Sequence, residues 1–97
     1  MAEITITRHI EGSKGRYVAK VEGHAGQGEL TYSITSPTMI IADHTGVDDS
    51  LRGQGVALAL ATRLVEDALA EGVKIVPLCP YVNAERRKHP EWAEAFQ

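Results

Sequence analysis

The sequence predicts an α+β fold: a mixed sheet of about five strands with one long helix and short C-terminal helices. Three observations predict it. From Glu3 to Val47 apolar and polar residues alternate in four runs separated by short turns, the period of half-buried strands. From Val56 onward the apolar spacing changes to four, the period of a helix face. A short apolar run then follows the helix, and a strand–helix–strand unit requires parallel pairing with a right-handed crossover. The expected sheet is therefore an antiparallel meander plus one βαβ unit.

The first strand spans Glu3 to His9, with Ile4, Ile6 and Arg8 on one face and Thr5 and Thr7 on the other. Gly12-Ser13-Lys14-Gly15 marks a turn, and Arg16 to Glu22 alternates again through Tyr17, Ala19 and Val21. Gly23 to Gly28 interrupts the pattern, and Glu29 to Thr35 restores it with Leu30, Tyr32 and Ile34 on one side. Pro37 lacks the N–H needed to continue a ladder, so the strand ends at Ser36-Pro37. Met39 to Val47 forms the fourth strand, apolar on both faces at its start and hence the most buried. Asp48-Asp49-Ser50 offers capping side chains ahead of the helix. The helix stripe is Val56, Leu60, Leu64 and Ala68, with Gly72 at the left-handed stop. Val73 to Leu78 is the fifth strand, Tyr81 to Lys88 a helix, and Glu91 to Phe96 a last short one entered through Pro90.

The 97 residues, 43% of them apolar, fit one domain over residues 1–97 with a modest core. A net charge of −3 gives no general attraction to nucleic acid or to an anionic membrane. No apolar run approaches the ~20 residues that span a bilayer, and Met1-Ala2-Glu3-Ile4 lacks the basic start of a signal peptide. The lone Cys79 has no partner for an internal disulfide, which fits a reducing compartment. A cytoplasmic location is the expectation, as a monomer or weak dimer. No His, Cys and carboxylate spacing matches a zinc site, so no metal is expected.

The chemistry concentrates in Arg52-Gly53-Gln54-Gly55-Val56-Ala57, between the fourth strand and the long helix. Its glycines allow backbone to approach a ligand closely. Its position at a helix start leaves N–H groups without intrahelical partners, in a field that favours phosphate oxygens. The turn lacks the Lys-Ser/Thr of a Walker loop, and Leu58 occupies the third-glycine position of a dinucleotide fingerprint. A pyrophosphate-sized anion is the expected guest.

This Arg-x-x-Gly-x-Ala run resembles the Q/R-x-x-G-x-G/A signature of the GNAT acetyltransferases. Two flanking stretches strengthen the resemblance: His44-Thr45-Gly46-Val47 leading into Leu51 to Gly55, and Val76-Pro77-Leu78-Cys79-Pro80-Tyr81-Val82 followed by Arg87-Lys88-His89-Pro90-Glu91. Together they resemble a short single-domain branch of that superfamily. The branch commonly carries an acidic residue where this chain has Gly46.

The resemblance implies a GNAT-like fold, with acetyl-CoA as acyl donor. It implies backbone amides of Arg52, Gly53, Gln54, Gly55, Val56 and Ala57 around the pyrophosphate, and an arm of the coenzyme lying between splayed fourth and fifth strands. Val47 is a candidate for backbone pairing with the arm, Tyr81 and Asn83 for contact from the following helix, and Arg87 for the 3′-phosphate. The alternative for the run Arg86 to His89 is a solvated helix end whose cations complement the dipole. The acceptor is an unidentified amine: a small molecule, a polyamine or a protein lysine.

His44 is a candidate general base, since an imidazole titrates near working pH. Cys79 is a candidate nucleophile with His44 as its base, or a proton donor to the departing thiolate. Its flanking prolines predict an exposed, rigid position; the alternative is a small buried residue capping a strand. Tyr17, Tyr32, Asp48 and Asp49 read as core and cap residues more than as an acceptor site. A different class of function is also consistent with the sequence: a catalytically weak CoA-binding module acting as sensor or partner-binding protein.

Overall fold

A computed structural model of the protein describes residues 3–97; the reading of Met1 and Ala2 as free of a leader lies outside them. The strands are β1 (Ile4–Glu11), β2 (Lys14–Val21), β3 (Gln27–Ser36), β4 (Met39–Val47) and β5 (Lys74–Pro77). They form one sheet in the order β1-β2-β3-β4-β5, antiparallel up to β4 and parallel between β4 and β5. Helix α1 (Val56–Glu71) makes the crossover, and α2 (Pro80–Lys88) follows β5. The predicted α+β mixed sheet is the fold observed.

Boundaries move where turn chemistry overrides alternation. β2 begins at Lys14 because Gly12-Ser13 alone makes the hairpin turn, with Gly12 at φ 60. β5 is shorter than expected, Lys74–Pro77, because Pro77 ends the ladder. The last helix is a 3₁₀ segment, Pro90–Ala95, and Phe96 leaves it to form a parallel bridge with Ile75 on the outer side of β5. The acidic pair does not cap α1. Asp48 instead accepts from the backbone N–H of Gln27 (3.0 Å), Asp49–Leu51 is a 3₁₀ turn, and the N-cap of α1 is Gly55.

α1 lays Val56, Leu60, Ala61, Leu64, Val65 and Ala68 on the sheet, all buried, against Tyr17, Ala19, Leu30, Tyr32 and Ala42. Each buried valine or leucine among them contributes about 1.5–3 kcal/mol. Gly28 is needed there, because a Cβ at that position would sit 2.7 Å from Val56 Cγ1. At the far end Arg8 of β1 donates to both carboxylate oxygens of Glu71 (2.6 and 3.0 Å) and to Tyr32 Oη (3.1 Å). Tyr17 Oη donates to Asp67 (2.7 Å), so a polar network ties the edge strand to the end of α1.

The feature that positions the site is a bulge in β4. Tyr32 pairs with Ala42 but Thr31 pairs with His44, leaving Asp43 as an extra residue. Up to Ala42 the even-numbered residues of β4 face α1. Beyond the bulge Thr45 and Val47 do, opposite Leu30 and Gly28. Asp43 and His44 both lie on the opposite, uncovered face of the sheet, which Thr31 and Ser33 of β3 share.

Candidate active site

β4 and β5 run together only from Met39–Lys74 to Ala42–Pro77. Cys79 N–H still reaches Ala42 O (2.8 Å), and then the chain turns into α2. Among the described residues no strand pairs with the rest of β4, from Asp43 to Val47, on that side, so the two strands fork. Asp48 N–H donates to Gln27 O on β3 (3.1 Å). By alternation, Val47 and Thr45 turn their N–H and C=O into the fork, where an extended ligand can pair with them.

At the mouth of the fork lies a cleft of about 290 Å³ lined by Val47, Leu51, Arg52, Gly53, Gly55, Val56, Ala57, Leu58 and Tyr81. Gly53 (φ 80) and Gly55 (φ 74) take left-handed conformations that other residues rarely adopt, which swings the chain from the 3₁₀ turn into α1. Gly55 has no side chain to cap the helix and no acidic residue stands in its first turn. Among the described residues nothing accepts from the N–H groups of Gly53, Gly55, Val56, Ala57 and Leu58. Five open donors and the positive end of a 16-residue helix therefore meet in one cleft.

Two of the expected amides are not part of it. Arg52 N–H is held by Asp49 O (3.1 Å) and Gln54 N–H by Leu51 O (3.2 Å). The side chain of Arg52 is exposed and beside Asp49 (3.3 Å), an ion pair worth little in water. Tyr81 is half-buried on the cleft wall, and burial, with Glu85 and Cys79 adding to it, pushes its hydroxyl pKa up. It stays a neutral donor across the physiological range. Asn83 and Arg87 do not line the cleft: Asn83 Oδ1 accepts from Arg86 Nε (2.9 Å), and Arg87 is exposed on α2. The neighbouring cations are engaged, Lys88 with Glu85 (3.2 Å) and Arg86 over the Phe96 ring (5.8 Å).

His44 and Cys79 are where the sequence reading requires correction. Cys79 is not exposed between its prolines; it is 1% exposed, at the N-cap of α2. Its Sγ lies 3.3 Å from Thr45 Oγ1, on the face of the sheet that α1 covers. His44 is exposed on the other face. The bulge is the physical reason: it shifts alternation by one residue, so Thr45, not His44, turns toward Cys79. This arrangement leaves His44 and Cys79 on opposite faces of the sheet, so the structure does not pair them as base and nucleophile. Leu58 and Thr45 were missed in the sequence. An exposed leucine in the first turn of a helix was a signal for Leu58; for Thr45 there was none without the bulge.

Among the described residues no group of three His, Cys, Asp or Glu side chains is arranged to hold a metal ion, and no helix is long and apolar enough to cross a membrane. The sequence matches the family of GCN5-related N-acetyl-transferases over residues 16–95. The structure is similar to the NMR solution structure of a GCN5-like putative N-acetyltransferase from Staphylococcus aureus, with a TM-score of 0.66 and 28% identity, over 94% of this chain and 87% of that one. No curated protein matches the sequence. Matched over most of its length, with the family's glycine turn opening a helix beside forked strands, the chain belongs to the GCN5-related N-acetyltransferase family.

Proposed function

We propose that the protein binds acetyl-CoA at the mouth of α1 and transfers the acetyl group to a primary amine. The observation that carries this is the set of five unpartnered amides lining one cleft at the point where β4 and β5 separate. A pyrophosphate supplies the acceptor oxygens those donors lack. The arm then pairs with Val47 and Thr45 along the fork, which brings a thioester to the gap between the strands, near Ala42 and Cys79. Arg87 meets the 3′-phosphate only by reorienting, as an exposed side chain does.

A group lying in a gap between strands is reachable from both faces of the sheet, and this gives His44 and Cys79 separate parts. From the open face, His44 accepts a proton from the attacking amine. The amine nitrogen bonds to the carbonyl carbon, the carbon–sulfur bond breaks, and the coenzyme leaves as a thiolate. On the covered face, the hydrogen-bonded Thr45–Cys79 pair offers that thiolate a proton, with the Tyr81 hydroxyl as a further donor on the cleft wall. Cys79 forms no acetyl-enzyme in this scheme.

Calorimetry with acetyl-CoA tests the binding step, using Ala57→Glu as the variant. A carboxylate in the first turn suits the helix dipole, so folding is preserved, but it repels a diphosphate. Affinity is expected to fall by about tenfold or more, at least 1.4 kcal/mol. Unchanged affinity would place the coenzyme elsewhere. A second reading, a CoA-binding module with weak turnover, is favoured by the separation of His44 from Cys79; it predicts tight acetyl-CoA binding and no acetyl transfer for His44→Ala to diminish.

A further inference from the structure

The open face beside the fork carries an arrangement that the donor site does not use. Lys14 Nζ donates to Ser33 Oγ (2.8 Å), and Ser33 Oγ donates to Asp43 Oδ2 (2.6 Å). The three residues stand on β2, β3 and β4, so one hydroxyl separates a cation from a carboxylate across the sheet. Neither charge has an oppositely charged partner of its own among the described residues, whereas Arg16 beside them is paired with Glu29 (2.9 Å) and Arg8 with Glu71. Asp43 is the bulged residue and the first position of β4 beyond the last β4–β5 pair, Ala42–Pro77, and His44 follows it on the same face. A shallow groove of about 870 Å³ runs over Lys14, Arg16, Thr31 and Asp43 toward the β1–β2 hairpin, with Glu11 at its rim.

From this we infer that the groove is the acceptor site and that the acceptor is a zwitterion, a primary amine carrying a carboxylate a few bonds away, as in a free α-amino acid. The inference rests on the acetyl-transfer reading above and names its substrate class. The ammonium sits on Asp43, at the fork and next to His44; it loses one proton to solvent, and the neutral amine so formed gives its second to His44 as it attacks. The carboxylate reaches Lys14, the hydroxyl of Ser33 lies between the two charges, and Thr31 stands beside it opposite His44. A purely cationic acceptor fits worse, because the groove sets Lys14 against it and like charges in a shared site cost binding energy. Gly46 contributes by omission: a Cβ there would lie 3.3 Å from His44 Nε2, so glycine keeps room for an amine beside the imidazole.

The test is acetyl transfer from acetyl-CoA to single L-α-amino acids, to their methyl esters and to spermidine, followed by thiol release. In parallel, the amide signals of Thr31, Ser33 and Asp43 are followed by NMR as each acceptor is titrated. The free amino acid is expected to have a KM about tenfold or more below that of its ester, with spermidine weaker still. Lys14→Gln should remove the difference between acid and ester while acetyl-CoA affinity measured by calorimetry stays the same. Asp43→Asn should raise KM for both. Ester or spermidine accepted as well as the amino acid, or a Lys14→Gln variant that discriminates like the parent, overturns the inference. If acetyl-CoA binds but no acceptor turns over, NMR shifts confined to the groove with amino acid alone still support it, and their absence refutes it. If acetyl-CoA does not bind at all, the donor reading has failed, and the same titration decides the groove by itself.

Discussion

Thr45 and Cys79 face each other across the fork of the sheet, Oγ1 to Sγ at 3.3 Å, with Cys79 buried. The imidazole of His44, the neighbouring residue, points to the other side. One residue of register thus decides which side chain the thiol meets.

That relationship separates two variants. His44→Ala is expected to lower kcat by about 10²-fold or more, the usual loss when a general base is removed. Cys79→Ala should keep turnover within about tenfold and cost stability of about 1 kcal/mol, as for other small truncations in a core. Steady-state kinetics and thermal melts check both, and mass spectrometry after mixing with acetyl-CoA should find no acetylated Cys79. A trapped acetyl-cysteine would restore the covalent route and require the fork to open.

Gly46 stands close enough to His44 for a side chain there to tune it. Gly46→Asp places a carboxylate beside the imidazole and favours the imidazolium. The acid limb of the pH–rate profile should move to higher pH. Rates measured against pH in both proteins read the change. An acid limb that stays in place would mean that residue 46 does not approach Nε2 in solution.

Stability should respond to pH at both ends through the network joining β1 to α1. Tyr17 is held above the ordinary phenol value, first by burial and then by its hydrogen bond to Asp67. Its contribution is complete below the unfolded value of about 10 and is lost as pH rises through the higher folded one. Glu71 is held below the usual carboxylate value by Arg8. Its contribution is present above the unfolded value of about 4.3 and is lost as pH falls through the lower folded one. Glu71 is 45% exposed, so water screens this acid-side effect and it is the smaller of the two. Melting temperature against pH should therefore fall at both extremes, and Tyr17→Phe should remove most of the alkaline fall.

Gly15 is predicted to be irreplaceable for a reason unrelated to catalysis. The ring of Tyr32 passes over it so closely that a Cβ would overlap the ring atoms. Gly15→Ala should cost about 1–3 kcal/mol by overpacking, while acetyl-CoA affinity of the folded fraction is unchanged. A denaturant midpoint equal to that of the parent would show that Tyr32 can swing away.

The sequence alone determined the meander, the long helix with its glycine stop, and the glycine turn that opens that helix. Each is local: alternation, four-residue spacing and left-handed glycines act within a few residues of themselves. Tertiary structure alone decided the faces. The bulge at Asp43 arises from pairing with β3, and it turned His44 away from Cys79, gave the thiol Thr45 as its neighbour, and set the half-buried Asp43 beside Ser33 and Lys14. An extra residue in a strand leaves no mark in composition or period, because what defines it is the strand opposite.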